Sequence, residues 1–244
     1  MAYENTARYY DLFHPEKRER ISCIKSLLKE YGAKDVLDTY CRTGTISMAL
    51  AKENYNVTGI DKDKEILSFF RKKIRGKRLK ISIKELDIKK MDYKNEFDAI
   101  LSLKTSINRI VDSKVILAVL KKMRNALRDN GILILEFVNF LSYLKAFKPE
   151  ETTFHQKEHL NIMRYMKRDI EDIRGIIIQN EFGVIGGDGT SHSYYKTSEM
   201  KIMTYERAME LLEDAGFKKI KSYVGYSLEK LDKKAERFII VAKK

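Results

Sequence analysis

The chain has 244 residues, of which 43% are hydrophobic, 34% are charged and only 2 are prolines. This composition is typical of one globular domain with an elaboration, and it excludes a disordered or fibrous chain. The formal net charge of +13 predicts a surface that attracts anions, whether nucleic acid, nucleotides or acidic metabolites.

Helical and strand periodicities alternate as far as Val138. Apolar residues three and four positions apart indicate the helices, and short apolar runs or strict alternation indicate the strands. The regular succession of the two element types predicts a parallel sheet with helices on both faces. The predicted elements are helix 15–31, strand 35–39, helix 45–54, strand 56–60, helix 62–74, strand 79–86, strand 97–103, helix 113–127 and strand 131–138.

The pattern changes after Val138, where a short helix over 140–147 is followed by segments of strand character. Three glycines surround Asp188 between the last two segments, and this composition is typical of a hairpin turn. A phosphate-binding loop would instead need a helix start after the glycines. We therefore expect an antiparallel β insertion that covers a site. Its three predicted segments are 155–168, 170–180 and 192–203.

Regular elements resume at Thr204, which is a good N-cap for a helix that ends at Gly216. Two strands then follow, over 217–226 and 237–242, with only a polar loop between them. The chain therefore ends in a β hairpin, and we expect the last strand to run antiparallel to the rest of the sheet.

Three predicted strands end in or next to an aspartate: Asp38, Asp61 and Asp87. In an open α/β sheet, ligands bind at the carboxyl ends of the strands, and an acid there can accept both hydroxyls of a ribose. A single aspartate at such a place is more often a helix cap. Three of them on one edge favour a nucleoside-type site.

At this point the chain resembles a known family, the class I S-adenosylmethionine-dependent methyltransferases of the small-molecule type. Residues 36–45 are similar to the family's first motif, D-L-G-C-G-T-G, in a degenerate form. Residues 57–61 resemble its second strand, 97–102 its fourth strand and 127–133 the turn into its fifth strand. Residues 7–11 resemble its opening Y-Y-D segment.

The resemblance implies an α/β, Rossmann-like fold: a seven-stranded, mostly parallel sheet with the last strand antiparallel, plus a small antiparallel β cap before the final helix. It implies a core of residues 1–139 and 204–244 and an inserted cap or substrate subdomain over 140–203. It also implies S-adenosylmethionine as the methyl-donor cosubstrate. The cofactor residues it implies are Tyr10, Asp38, Tyr40, Arg42, Gly44, Asp61, Lys62, Asp87, Ile88 and Leu103.

Within that set, the resemblance assigns the ribose hydroxyls to Asp61 and the adenine edge to Asp87. It assigns the methionine part of the cofactor to the loop from Asp38 to Gly44. That loop departs from the family, because Tyr40 and Arg42 stand where the family has glycines. Three outcomes stay open: Arg42 pairs with the cofactor carboxylate, the cofactor binds weakly, or the site is blocked and the chain has no turnover.

Methyl transfer is an in-line displacement that depends mainly on alignment and exclusion of water. A base that deprotonates the acceptor remains a further requirement for some acceptors. Residues 155–159 read H-Q-K-E-H, but this zinc pattern needs a helix and falls here in a β-rich segment, so we predict no metal. The candidates for the base are His192, Tyr194, His155 and Glu136.

The sequence favours a small-molecule methyl acceptor over nucleic acid. Residues 103–108 lack the N/D-P-P-Y/F motif of base-modifying amino-methyltransferases, and no Pro-Cys pair is present for attack on a pyrimidine. The basic run 71–80 has the pattern of a solvated surface. An RNA methyltransferase predicts a continuous basic stripe to the pocket mouth, and a non-catalytic binding protein predicts Tyr40 or Arg42 in the cofactor space.

Cysteine usage and the first residues indicate a cytoplasmic protein that does not enter a membrane. Cys23 and Cys41 have no spacing that suggests a disulfide framework or a metal knuckle. Residues 1–20 are polar and charged, unlike a signal peptide. No apolar run is long enough to span a bilayer.

Overall fold

The computed structural model describes residues 7–157, 159–187, 189–230 and 235–244. The strands are β1 (Asp35–Thr39), β2 (Asn56–Asp61), β3 (Ile81–Glu85), β4 (Phe97–Ser102), β5 (Leu127–Val138), β6 (Glu150–Lys157), β7 (Leu160–Glu171), β8 (Ile176–Gly187), β9 (Thr190–Lys201), β10 (Lys218–Val224), β11 (Glu229–Lys230) and β12 (Arg237–Lys243). The α-helices are α1 (Tyr10–Phe13), α2 (Arg18–Glu30), α3 (Thr45–Ala51), α4 (Lys64–Ile74), α5 (Ser113–Ala126), α6 (Phe140–Lys145) and α7 (Tyr205–Asp214), with 3-10 turns at Ile88–Lys90 and Ser106–Arg109.

The larger sheet has the strand order β11-β10-β12-β5-β4-β1-β2-β3. The five strands from β5 to β3 in this order are mutually parallel, and β12 lies antiparallel between β5 and β10. The predicted seven-stranded, mostly parallel sheet with an antiparallel last strand is therefore confirmed. The two-residue strand β11 adds an edge that the sequence did not indicate.

Two apolar layers enclose this sheet, one on each face. Successive strand residues point to opposite faces, so Leu37 packs in one layer and Val36 in the other. Helices α5 and α7 cover the first face, and α2 and α3 cover the second. These layers leave the carboxyl ends of β1, β2 and β4 uncovered by helices and available for a site.

The first helical segment is divided, and it differs from the predicted helix over 15–31. Helix α2 begins only at Arg18, and the four-residue helix α1 precedes it. A helix of one turn is too short to show apolar periodicity, which explains why the sequence did not indicate α1. Thr204 does cap α7 as expected, since its side chain accepts a hydrogen bond from the Arg207 N–H.

The smaller sheet is antiparallel, with the order β6-β7-β8-β9. We predicted three β segments here and the structure has four strands, because the segment 155–168 contains the hairpin that joins β6 to β7. Strand β6 is polar and lacks apolar alternation, so its start at Glu150 was missed. The glycine-rich turn joins β8 to β9 as expected; Asp188 lies outside the described residues.

The inner face of the small sheet rests on the N-terminal segment. Ile162, Ile185 and Tyr194 are buried there and pack against Leu12 and Phe13. The small sheet thus reaches the core partly through α1, which lies beside the carboxyl edge of β1. No helix among the described residues has the length and apolar character needed to cross a membrane.

Candidate functional site

The carboxyl edge of β2 and the residues after β3 line an open cleft of about 670 Å³, which we call the strand-tip cleft. It takes its walls from the core and from β9 of the small sheet. Asp61, at the end of β2, is only 3% exposed, whereas Asp87 is half-buried. The residues that line it include Tyr40, Arg42, Asp61, Lys62, Asp63, Asp87, Arg109 and Lys196.

Backbone amides orient the Asp61 carboxylate. The N–H groups of Arg42 and Asp63 donate to it at 3.2 Å and 3.1 Å, one to each oxygen. The Arg42 Nε lies 3.7 Å from Asp61 Oδ2, so the guanidinium forms an ion pair with the same group. Each carboxylate oxygen can accept a further hydrogen bond, which leaves capacity for a ligand in the cleft.

Asp87 begins the 3-10 turn after β3 and faces the same cleft. Its side chain accepts a hydrogen bond from the Lys89 N–H at 2.9 Å, and Ile88 beside it is buried. The structure thus brings Asp61 and Asp87 to one cleft, as their positions at strand ends predicted. It places Asp38 in a separate, adjoining cavity.

The loop after β1 has the left-handed backbone conformation that favours glycine, although only one of the family's three loop glycines is present. Tyr40, Arg42 and Gly44 have φ values of 54°, 55° and 73°, all in the left-handed region. This region costs a non-glycine residue about 1–2 kcal/mol. Gly44 is also required by space, since a Cβ there would lie 2.1 Å from the Phe70 ring. The chain therefore retains the backbone path of the first motif at a conformational cost.

The side chains that stand in place of the family's glycines border a small space enclosed by this loop. The loop cavity, lined among others by Tyr10, Asp38, Tyr40, Arg42 and Lys104, has a volume of only about 30 Å³. That is about the room of one water molecule.

Asp38 is a buried carboxylate at the floor of the loop cavity. Ser47 Oγ donates a hydrogen bond to it at 2.5 Å. Burial raises the pKa of Asp38 to about 7, although the Ser47 hydrogen bond and the charge of Lys104 oppose the shift. Its protonation state therefore changes near neutral pH, and a cation placed beside it would favour the ionised form.

The N-terminal segment is fastened over the loop cavity. Asp11 accepts hydrogen bonds from Thr43 Oγ1 at 2.5 Å and Thr45 Oγ1 at 3.3 Å, and it pairs with Lys73. Burial opposes ionisation of Asp11, but the hydrogen bonds from Lys73 and Thr43 outweigh it and lower its pKa. The Tyr10 ring lies 5.9 Å from the Arg42 guanidinium, which closes this side of the cavity.

Two further cavities lie between the core and the small sheet. The cap cavity, of about 180 Å³, is lined among others by Tyr10, His14, Arg42, Lys104, Ser106, Arg109, Glu181 and Lys196. The side cavity, of about 300 Å³, is lined among others by His14, Arg20, Lys104, Phe140, Tyr143, Met200 and Arg237. Lys104 lines both of them and also the loop cavity, so all three spaces adjoin one another.

The structure argues against the prediction that Glu136 is a candidate base. Its carboxylate is fully buried and already accepts hydrogen bonds from Arg20, Tyr226, Arg237 and the Lys104 N–H, at 2.7–3.2 Å. Burial alone would raise its pKa, but Arg20 and its other donors hold the pKa below the ordinary value. The group braces the ends of β4, β5 and β12, and it has no free access to a substrate.

The other three candidate bases do not face the loop cavity. Tyr194 is buried and its hydroxyl donates to Glu181 at 2.7 Å, and burial with that contact raises its pKa. His192 is exposed near the β8–β9 turn. His155 lies in β6 with its ring 6.1 Å from Phe13. His155 and His159 belong to a hairpin and not to a helix, which rules out the H-x-x-E-H geometry; Glu158 lies outside the described residues.

Apart from Tyr10 and Arg42, sequence reasoning missed the residues named here that line the cap cavity. His14 follows α1 and lines both the cap cavity and the side cavity. Its ring is open to these spaces, yet desolvation and the charges of Arg164 and Lys104 lower its pKa and keep it neutral. The signal that could have found it is its position three residues after Asp11, in a segment that the family packs near the cofactor.

Comparisons with known proteins bear on the family. Residues 36–131 match the family described as "Methyltransferase domain". The putative methyltransferase YqeM of Bacillus subtilis is 24% identical over 247 residues, which cover 100% of this chain and 98% of YqeM.

Two solved structures share the fold. An S-adenosylmethionine-dependent methyltransferase from Clostridium acetobutylicum superposes with a TM-score of 0.85 at 20% identity, covering 100% of this chain and 99% of that chain. CalS10 of Micromonospora echinaspora, an amino pentose methyltransferase with S-adenosylmethionine bound, superposes with a TM-score of 0.72 at 18% identity, covering 100% and 96%.

The matched segment contains nearly all of β1 and the whole of β2, β3 and β4, with all three strand-end aspartates. The domain match therefore covers the core wall of the strand-tip cleft but not the wall that β9 supplies. The larger sheet also has the antiparallel last strand that the resemblance implied. S-adenosylmethionine is the methyl donor that this domain and fold imply. The resemblance to the class I S-adenosylmethionine-dependent methyltransferases is thus supported by a methyltransferase-domain match over residues 36–131 and by a shared fold.

Proposed function

We propose that the chain transfers a methyl group to a small-molecule acceptor held under the insertion 140–203, which acts as a substrate cap. One observation carries this proposal: the cap cavity and the side cavity lie between the strand ends and β9, and both adjoin the loop cavity. Their volumes of about 180 Å³ and 300 Å³ suit a metabolite, and a polymer would need an open groove.

The residues present fit S-adenosylmethionine. The strand-tip cleft has room for an adenosyl group, and Asp61 retains acceptor capacity for the ribose hydroxyls. Asp87 then lies at the adenine, with Lys62 on the cleft wall and Leu103 beside the loop cavity, whereas Ile88 is buried in the core next to Asp87. The methionine part fits once the side chains of Tyr10 and Arg42 rotate away, which both can do because neither is fully buried.

The donor supplies a methyl group activated by a sulfonium centre. The chain's own task is to align the acceptor and exclude water, since this displacement needs little acid–base help. His14 borders both cavities, but its pKa, lowered to about 3, makes the imidazole a weak base, so its role in this scheme is a hydrogen bond that orients the acceptor. Arg42 leaves Asp61 and pairs with the methionine carboxylate in this scheme.

The position of the basic run supports a small acceptor over RNA. Helix α4 carries the chain from the carboxyl end of β2 to the amino end of β3. The part of the run around Arg75 and Arg78 therefore lies at the end of the sheet opposite the strand-tip cleft, and Lys73 of the same run is already paired with Asp11. The name of CalS10, an amino pentose methyltransferase, shows that a chain of this fold acts on a small molecule.

A transfer assay with methyl-labelled S-adenosylmethionine tests the proposal. The protein is incubated in parallel with total RNA and with the low-molecular-weight fraction of a bacterial extract. We expect label in the small-molecule fraction only, accompanied by release of S-adenosylhomocysteine. Label in RNA alone would contradict the small-molecule assignment. The Asp61→Asn variant is the matched control, because it removes the carboxylate and should lose transfer, while its amide oxygen keeps one of the two backbone hydrogen bonds at position 61.

A further inference from the structure

The cap cavity has an unusual balance of charge. Four cationic side chains line it: Arg42, Lys104, Arg109 and Lys196. They come from four different segments, namely the β1–α3 loop, the end of β4, the following 3-10 turn and strand β9. Like charges that line one cavity repel one another, and this repulsion is unfavourable unless anions compensate it.

The nearby carboxylates already have partners. Glu181 accepts from Arg164 Nε at 2.9 Å and from the Tyr194 hydroxyl. Asp63 caps α4 by accepting from the Ile66 N–H at 3.0 Å. Glu16 pairs with Lys104 Nζ at 2.8 Å. The acids in this region therefore do not neutralise the whole cluster.

Arg109 is the cation that remains uncompensated. Within the described part of the chain, no carboxylate lies within 4.0 Å of its guanidinium, and no hydrogen bond uses its five donors. Desolvation and the charge of Arg42 lower the pKa of Arg109, and they outweigh the opposing charge of Asp61. Burial and Arg109 also lower the pKa of Lys196.

The geometry around Arg109 is fixed by the cap. Asn108 is fully buried, and its Nδ2 donates to the Lys201 carbonyl at 2.9 Å. This bond ties the 3-10 turn directly to β9, the strand that carries Lys196. Two of the cations thus belong to one rigid frame and do not depend on loop motion to face the same cavity.

We infer that the cap cavity binds an anionic group of the methyl acceptor, a carboxylate or a phosphate, through Arg109 and Lys196. The cavity shares Tyr10, Arg42, Lys104 and Ser106 with the loop cavity, so an anchored acceptor would present its reacting atom to the methionine end of the donor. The planar fork of Arg109 matches both kinds of anion. This inference rests on the proposed function, because it describes the acceptor of that same reaction.

The test fractionates the acceptors by charge. Low-molecular-weight metabolites are separated on an anion-exchange resin, and both the retained and the unretained fractions are assayed with methyl-labelled donor. We expect label in the retained fraction. Label confined to the unretained fraction would overturn the inference while leaving the proposed function intact. Label in neither fraction would instead count against the proposed function itself.

Variants then locate the anion. Arg109→Gln should lower methylation of the retained fraction about tenfold at limiting acceptor, with partial recovery in Arg109→Lys. The matched control is Arg78→Gln, on the opposite edge of the sheet, which should leave the rate unchanged. An unchanged rate in Arg109→Gln would refute the assignment of the anion to this cavity.

Binding measurements show whether Arg109 serves the acceptor or the donor, and whether the cavity prefers a phosphate or a carboxylate. Inorganic phosphate and acetate are titrated at constant ionic strength into protein saturated with S-adenosylhomocysteine, and thermal stability is followed. The anion that stabilises more identifies the class, and Arg109→Gln should remove that gain. If Arg109→Gln weakens S-adenosylhomocysteine and leaves anion binding unchanged, the residue serves the donor and the inference is wrong.

Discussion

The two halves of the proposed cofactor site are the strand-tip cleft and the loop cavity. They differ in free volume and in how far their residues depart from the family's motifs. The strand-tip cleft is open, with about 670 Å³ and the carboxylates of Asp61 and Asp87 on its wall. The loop cavity next to it, which Tyr10, Tyr40 and Arg42 help to line, has about 30 Å³. Under the proposed assignment, the cleft would receive the adenosyl group as it stands, and the loop cavity would have to rearrange before it received the methionine part.

This difference shows that backbone conformation and free volume are separate properties of a glycine-rich loop. Tyr40 and Arg42 adopt the left-handed φ that the motif requires, held by the contacts of their neighbours. Only Gly44 is irreplaceable on both counts, because Phe70 occupies the space of a Cβ. The loop can therefore lose glycines without losing its path, provided that the new side chains have somewhere to go.

The largest expected effect concerns the open half. Asp61→Asn should weaken S-adenosylhomocysteine and 5′-methylthioadenosine alike, by about 100-fold or more, because hydrogen bonds to a charged acceptor contribute about 1.5–3 kcal/mol each. Calorimetric titration of both ligands measures this loss. Asp87→Asn is the companion variant, with a smaller loss expected from a single adenine contact. Equal affinity in Asp61→Asn and the unaltered protein would exclude Asp61 from the ribose site.

The next prediction separates the two halves directly. 5′-Methylthioadenosine has the adenosyl group but no amino-acid part. Arg42→Gln should weaken S-adenosylhomocysteine about tenfold and leave 5′-methylthioadenosine unchanged, since only the former offers a carboxylate to the guanidinium. If both ligands bind more tightly to the variant, Arg42 merely obstructs the loop cavity, and the chain is closer to a binding protein than to an enzyme.

Asp38 should make donor binding depend on pH. Burial raises its pKa to about 7, so it is largely neutral below that pH and ionised above it. The cationic ammonium of the ligand favours the ionised form, and affinity for S-adenosylhomocysteine should rise by up to about tenfold from about pH 6 to about pH 8. Asp38→Asn should flatten this profile, since asparagine keeps an acceptor for Ser47.

The same group affects the stability of the protein without ligand. A carboxyl with a raised pKa contributes full stability below its unfolded pKa of about 3.9, and loses it as pH rises through about 7. Asp38→Asn should therefore be more stable than the unaltered protein above neutral pH, with a smaller difference at about pH 5. Thermal unfolding across this range measures both values. A difference that grows toward acid pH would contradict the burial of an ionisable Asp38.

The smallest effect concerns the fastening of the N-terminal segment over the loop cavity. Thr43→Val removes the 2.5 Å hydrogen bond to Asp11 and should lower the free energy of unfolding by about 1 kcal/mol. It should also weaken S-adenosylhomocysteine a few-fold and spare 5′-methylthioadenosine. Thr45→Val is the matched control, because its bond to Asp11 is 3.3 Å long and exposed. Equal losses in the two variants would remove Thr43 from this role.

Sequence reasoning predicted the open half better than the filled half. Asp61 and Asp87 each follow a strand directly, so their common edge follows from the parallel sheet. The left-handed backbone at Tyr40 and Arg42 could be expected from the motif, but the partner of the Arg42 guanidinium could not. That partner, Asp61, lies on another strand, and the sequence left open whether Arg42 would point outward or inward.

The candidate base and the acceptor cavity were the least predictable. In the sequence, Glu136 stands near the carboxyl end of a buried strand, as the aspartates of the candidate site do. Only the structure shows that Arg20 and Arg237, more than 100 positions away, consume its hydrogen-bonding capacity. Arg109 and Lys196 meet across the interface of core and cap, and neither has a motif around it.

The sequence by itself determined the alternation of strands and helices, the antiparallel last strand and the acidic strand ends, because periodicity and turn chemistry act over a few neighbouring residues. Tertiary structure alone decided the four strands of the cap, the closure of the loop cavity and the cations that converge on the cap cavity. These features depend on contacts between residues far apart in the chain, and no local pattern records which side chains will meet.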